Sequence, residues 1–190
     1  MQEPVVSARN LIKIYRTGRL DILALRGVDL DVLQGEILAI TGPSGCGKTT
    51  FINICGGIEP ASAGLVMVNG RDVTRLAGQD LVQYRRTSVG IVYQFFNLLP
   101  QLSAKQNVEL PMRLLGKPSP HCSQKAQELL VGLGLGDRLD HRPSELSGGE
   151  QQRVAIAAAL ANDPPLILAA EPTGELDSSA SQSVITLFRE

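Results

Sequence analysis

Gly42-Pro43-Ser44-Gly45-Cys46-Gly47-Lys48-Thr49 is the stretch on which the reading of this chain turns. It has the form G-x-x-x-x-G-K-[ST], a loop that holds phosphate when it lies between a strand and a helix. Upstream, Glu36-Ile37-Leu38-Ala39-Ile40-Thr41 is short and mostly apolar, the pattern of a buried strand. Downstream, Thr50-Phe51-Ile52-Asn53-Ile54-Cys55 stays mainly apolar until Gly56-Gly57, and reads as a helix with a glycine stop. Gly42, Gly45 and Gly47 let the backbone approach phosphate closely, so that successive N–H groups converge on one anion. Pro43 has no N–H, so its neighbours, including Ser44 and Cys46, must supply the donors. The helix behind the loop adds unpaired N–H groups and its positive end. Lys48 is expected to reach the β- and γ-phosphates, and the Thr49 hydroxyl to ligate Mg²⁺.

The 190 residues suffice for one domain with a sizeable core, with or without an inserted lobe. A net charge of −1 and only one adjacent basic pair, Arg85-Arg86, argue against a nucleic-acid partner. The cysteines, Cys46, Cys55 and Cys122, form no C-x-x-C pair, which points to a reduced, cytosolic compartment. Met1-Gln2-Glu3-Pro4 opens no secretory leader, and no apolar run approaches the roughly 18 residues of a membrane span. Any link to a membrane is therefore expected to run through a partner.

Val5 to Tyr15 and Ala24 to Leu33 read as strands, as does Gly64 to Val68 before the turn Asn69-Gly70. Leu81 to Arg86 reads as a polar helix, and Val89 to Tyr93 as a buried strand ending at Gln94. From Phe95 the texture becomes helical. Ser103 to Leu115 is expected to be divided by Pro111, and Ser123 to Val131 forms a second helix. A third helix runs from Leu146-Ser147-Gly148-Gly149-Glu150-Gln151 to Leu160. Leu166 to Ala169 is a buried strand, with Glu171-Pro172-Thr173-Gly174 as a loop at its carboxyl end. Strands alternating with helices argue an α/β fold with a parallel sheet, and the middle helices argue an inserted helical lobe. Ligands in such sheets bind at the carboxyl ends of strands, where the 42–49 loop, Gln94 and Glu171 all fall.

A phosphate loop followed about 100 residues later by Leu146-Ser147-Gly148-Gly149-Glu150-Gln151, just before a buried strand, resembles the ATP-binding subunit of ABC transporters. Gln94-Phe95-Phe96-Asn97-Leu98-Leu99-Pro100 and Arg138-Leu139-Asp140-His141-Arg142-Pro143 look like the lipoprotein-release and macrolide-export (LolD/MacB-like) branch. The resemblance implies a P-loop NTPase core with a parallel sheet, N-terminal antiparallel strands and an inserted helical subdomain. On that pattern residues 1–93 and 163–190 form the core and 94–162 the lobe. The implied activity is ATP hydrolysis with Mg²⁺. The implied partners are a second ATP-binding subunit, as a homodimer, and an integral membrane permease. The implied location is cytoplasmic, on the inner face of the plasma membrane.

The resemblance also assigns residues. Tyr15 would stack on the adenine ring, although a tyrosine at a strand end needs no ligand to explain it. The loop, from Gly42 to Thr49 and on to Thr50, would hold the phosphates. Gln94 would meet Mg²⁺ and the attacking water, and Glu171 would act as general base. Ser147, Gly148 and Gly149 would bind the γ-phosphate held by the second subunit; Ser147 with Glu150 is equally a capping box. Asp177 would cross the dimer interface, or simply cap a helix beginning at Ser178. Phe95, Phe96, Leu98 and Leu99 are either core or the surface that receives the permease.

Three positions depart from the family pattern. Ala170 stands where an aspartate usually precedes the glutamate, so Thr49, Gln94, waters and nucleotide are expected to hold the metal, with little hydrolysis. Ala158 stands in place of a usual arginine. The family also has a further core strand, inserted between those at 36–41 and 166–169, that ends in a histidine. Neither His121 nor His141 can be that residue, so the C-terminal part of the core is expected to be missing.

Overall fold

The computed structural model describes residues 3–187 apart from Arg19, Glu175 and Asp177. They fall into two compact units, Met1–Arg85 and Arg86–Glu190.

The first unit is built on a four-stranded antiparallel sheet in the order β2, β1, β3, β4. β1 spans Val6–Thr17, β2 Leu20–Val32, β3 Ala63–Val68 and β4 Arg71–Asp72. Asn69 and Gly70, both at positive φ, make the tight turn that joins β3 to β4. β1 does not alternate evenly. Val6 and Ala8 are buried, then the register shifts beside Asn10 (φ 46°), and Leu11 and Lys13 are buried instead. Such a bulge moves later side chains to the opposite face from the one simple alternation would give them. It is the reason Lys13 and Tyr15 follow Leu11 on the inner side. α1, Lys48–Cys55, packs against this sheet through Phe51, Ile54 and Cys55. α2, Gly78–Thr87, buries Tyr84, whose hydroxyl donates to the Cys55 carbonyl at 2.5 Å.

The expectation of a buried strand at 36–41 is not met. The segment is part of no ladder, and Ile37, Leu38 and Ile40 are exposed, Ile37 to 65%. An apolar run becomes a strand only where neighbours take up its N–H and C=O groups. Among the described residues no strand does so here, and the Glu36 N–H reaches only back to the Leu33 carbonyl, at 3.1 Å.

The second unit pairs β5, Val89–Val92, with β6, Leu166–Ala169, in parallel, Val92 opposite Ala169. Three helices form its main apolar cluster: α3 Ala104–Leu114, α4 Ser119–Gly132 and α5 Gly148–Leu160. Val108, Met112, Cys122, Leu130 and Val154 are fully buried among them. Pro111 does not divide α3; the helix runs through it as one element. Pro111 lies in the last turn, so only the bond to the Asn107 carbonyl is lost, and Ser103 and Gln106 secure the other end with a capping box. α6, Ser178–Leu187, packs on α5, where Val184 meets Val92 and Ile156.

Candidate functional site

In the first unit, the 42–49 loop takes the backbone shape that its glycines permit. Gly42, Gly45 and Gly47 all lie at positive φ, at 155°, 77° and 98°. At Gly47 space matters as well. A Cβ there would sit 2.6 Å from the Ala24 carbonyl oxygen and 2.9 Å from Leu25 Cδ2. Gly47 is the N-cap of α1, with no side chain capping the helix and no acidic residue in its first turn. The leading N–H groups of α1 therefore lack both a capping acceptor and a nearby negative charge. The Lys48 ammonium folds back on the loop, donating to the carbonyls of Gly42 (2.8 Å) and Pro43 (3.0 Å), with Cys46 Sγ at 3.9 Å. An exposed cation beside uncapped amides is a donor set that suits a polyphosphate.

Behind the loop, Thr50 Oγ1 lies 3.2 Å from the Tyr15 hydroxyl, tying β1 to α1. That hydroxyl donates to Glu59 Oε2 at 2.5 Å, and Asn53 Nδ2 donates to Glu59 Oε1 at 2.8 Å. Lys13 Nζ stands 4.9 Å from the centre of the Tyr15 ring and 3.7 Å from Glu59, and donates to the Pro60 carbonyl at 2.7 Å. Burial pushes the Glu59 carboxyl up, but the bonds from Tyr15 and Asn53 and the charge of Lys13 outweigh it and leave it below its ordinary value. Burial, then the bond to Glu59, raises the Tyr15 phenol.

In the second unit the parallel register brings two further residues together. Gln94 follows β5 by two positions and Glu171 follows β6 by two, so both leave the same end of the strand pair. The Ala170 N–H donates to the Val92 carbonyl at 2.9 Å, extending the pairing to the edge of the loop. Glu171 is exposed at φ 52°, a conformation costing a non-glycine residue about 1–3 kcal/mol. The turn closes with the Gly174 N–H on the Glu171 carbonyl at 3.0 Å. A Cβ on Gly174 would lie 3.1 Å from Gln94 Cγ, so the glutamine packs directly on the glutamate's loop.

Ser147 caps α5, and the capping box is complete. Glu150 Oε2 accepts from the Ser147 N–H at 2.8 Å and its hydroxyl at 2.9 Å, while Arg138 Nε holds Glu150 Oε1 at 3.1 Å. The Ser147 amide, its hydroxyl and Arg138 together keep the Glu150 carboxyl below the usual carboxylate range. Gly148 is half-buried and Gly149 buried at the start of the helix. Asp177 lies outside the described residues.

The residues expected to hold Mg²⁺ offer a sparse set of donors. Thr49 and Gln94 carry hard oxygen donors, but the carboxylate Mg²⁺ commonly takes is replaced at 170 by a buried methyl. Among the described residues no group of three or more His, Cys, Asp or Glu could hold a metal ion. Donors of this kind suit a metal that arrives already bound to phosphates. They do not fit a dedicated metal cage.

A G-x-x-x-x-G-K-[ST] loop at a helix start is the mark of a P-loop NTPase. Residues 25–174 match the ABC transporter family, so the chain belongs to that family. The lipoprotein-releasing system ATP-binding protein LolD 2 of Caulobacter vibrioides is 49% identical over 184 residues, 97% of this chain and 81% of that protein. The macrolide export ATP-binding/permease protein MacB of Marinobacter nauticus is 46% identical over 187 residues, 98% of this chain but 29% of that longer protein. A solved dimeric ATP-binding cassette in a post-hydrolysis state, bound to ADP and Pi, superposes with a TM-score of 0.87. Its identity is 40%, covering 96% of this chain and 80% of that one. The chain is an ABC ATPase of the LolD/MacB type; its loop and 146–151 stretch imply the family, and residues 94–100 and 138–143 the branch. Among the described residues no helix is long and apolar enough to cross a membrane.

The positioning contacts around the site are what sequence reading missed. Glu59 and Lys13 carry no motif, and only their surroundings reveal them. Arg138 stands within a stretch already marked as branch-specific, yet nothing in its spacing foretells its bond to Glu150.

Proposed function

We propose that this chain binds Mg²⁺ and ATP at the 42–49 loop and, paired with a second copy, hydrolyses ATP to drive an integral membrane permease for export or lipoprotein release. The observation that carries this reading is the left-handed glycine loop feeding an uncapped helix start, with Lys48 beside it. When phosphate enters, the Lys48 ammonium exchanges the Gly42 and Pro43 carbonyls for phosphate oxygens, and the uncapped amides gain an acceptor. They then meet the charge that develops as the γ-phosphate leaves. Tyr15 offers a face to the base. Glu171 takes the proton of the attacking water, and Gln94, packed on its loop, orients that water. Thr49 and Gln94 would hold Mg²⁺ together with the phosphates, and the metal would neutralise charge on them.

Ser147, Gly148 and Gly149 serve the γ-phosphate held by the other subunit, with Asp177 nearby at the interface. In this reading 1–93 and 163–190 act as the core and 94–162 as the lobe that meets the permease. Phe95 is 66% and Leu99 44% exposed, while Phe96 and Leu98 are half-buried, so this window offers apolar surface to a partner. Asn107 fixes the segment, accepting from the Leu99 N–H and donating to the carbonyls of Leu99, Leu102 and Ser103. The chain then sits on the cytoplasmic face of the plasma membrane through that permease. The test is Glu171→Gln, with ATP affinity and phosphate release measured together. Affinity should stay within about threefold while release falls about 10²–10⁴-fold, the usual range for losing a general base. Unchanged release would remove Glu171 from the chemistry.

A further inference from the structure

We infer that Glu59 and Lys13 form a cradle that sets the Tyr15 ring for the nucleotide base, making them positioning residues for base binding. The inference rests on the reading of Tyr15 as the base platform. A tyrosine ring turns about two side-chain bonds, and a platform works only if both are fixed before the base arrives. Here the hydroxyl is fixed at one end by Glu59 Oε2 and by Thr50 Oγ1. Lys13 Nζ lies over the ring, so a planar ligand has only the opposite face to use. Lys13 is 8% exposed and is itself fixed, by the Pro60 carbonyl and by Glu59. The second Glu59 oxygen is held by Asn53 of α1, the helix that begins at the phosphate loop. One carboxylate thus connects the base platform to the phosphate helix, and this fixes the span between the two ends of a nucleotide.

The cradle explains three contacts that packing does not require. A buried lysine, a carboxylate below its ordinary range and a tyrosine hydroxyl converge where an apolar filler would complete the sheet face.

The test compares two ligands on the full chain by calorimetry: ATP, and inorganic tripolyphosphate, which has phosphates and no base. Four single variants are used: Glu59→Gln, Tyr15→Phe, Lys13→Met and Tyr15→Ala. Glu59→Gln leaves one accepting oxygen for Tyr15 and Asn53 to share and removes the charge beside Lys13, whereas Tyr15→Phe removes the hydroxyl and leaves Glu59 with Lys13 and Asn53. Glu59→Gln and Tyr15→Phe should each weaken ATP binding about 3–10-fold, with Lys13→Met in the same direction. Tripolyphosphate affinity should stay within twofold for all. The double variant of Glu59→Gln and Tyr15→Phe should be no worse than the poorer single. Equal losses for ATP and tripolyphosphate would mean a merely structural role for the cluster and overturn the inference. So would wild-type ATP affinity in Glu59→Gln and Tyr15→Phe when Tyr15→Ala is impaired. If Tyr15→Ala itself binds ATP like the wild type, the base-platform reading fails first, and that outcome is distinct from both.

Discussion

Two apolar runs lead into functional loops, and they fold differently. Leu166–Ala169 pairs with Val89–Val92 and delivers Glu171 at a defined point beside Gln94. Within 36–41, Ile37 to Ile40 is just as apolar, yet the segment joins no ladder, is exposed, and leads to Gly42 without a strand. Composition is therefore not what separates them. The first run has a ladder partner that takes up its backbone groups, and the second has none among the described residues. Gln94 and Glu171 are thus positioned by a sheet. The 42–49 loop is positioned by its own glycines, the α1 start and the fold-back of Lys48.

The largest effect expected from this contrast is at Lys48. Lys48→Ala removes the ammonium that faces the phosphates and should weaken ATP binding by about 2–5 kcal/mol, read by calorimetry. Undiminished affinity would mean that the loop does not hold the nucleotide.

Glycine substitutions separate the two modes of support. Gly47→Ala places a methyl 2.6 Å from the Ala24 carbonyl at a left-handed φ. It should cost about 1–3 kcal/mol in strain and a similar amount in overpacking, with ATP binding lost alongside. Gly45→Ala meets nothing within 4 Å and should carry only the left-handed term, about 1–2 kcal/mol. In the sheet-supported region, a Cβ on Gly90 would lie 2.4 Å from the Ala159 carbonyl. Gly90→Ala should therefore lower stability to denaturant by about 1–3 kcal/mol. Equal responses at Gly45 and Gly47 would contradict the close approach of Ala24 to the loop.

Ala170→Asp sharpens the comparison at the end of β6. Position 170 is buried, so a carboxylate there should destabilise the metal-free protein by about 1–3 kcal/mol. Mg²⁺ with ATP should then recover the loss, which melting curves with and without the metal would read. A variant whose melting ignores Mg²⁺ would place residue 170 away from the metal.

Much of this division was legible in the sequence. The loop, the start of α5 and the ends of β5 and β6 all announce themselves through glycine spacing and short apolar runs. What stayed hidden depends on neighbours. The bulge at Asn10 reverses which β1 side chains face inward, and no periodicity rule foresees a one-residue insertion. Pro111 reads as a helix break but falls where the missing N–H costs one bond in a packed helix. The 36–41 run shows the converse case, because strand propensity cannot supply a partner.

The smallest effect concerns the α5 cap. Ser147→Ala should lower stability by about 0.5–2 kcal/mol. Because the native Glu150 carboxyl lies below its ordinary value of 4.5, its contribution is complete above that pH. The contribution fades as pH falls through the native value, since protonation then removes a carboxylate that only the folded state stabilises. Acid unfolding of Ser147→Ala should begin to diverge less from neutral behaviour than that of the wild type. Parallel acid curves would show that the serine does not stabilise this carboxylate.

The central claim is that the backbone of 42–49 is where the phosphates lie. Hydrogen–deuterium exchange on the whole chain, with and without ATP and Mg²⁺, tests it most directly. The N–H groups from Ser44 to Thr49 should gain the largest protection, while the β5–β6 ladder, already paired, changes little. Unchanged exchange across 42–49 under saturating ATP, with protection appearing elsewhere, would contradict the account.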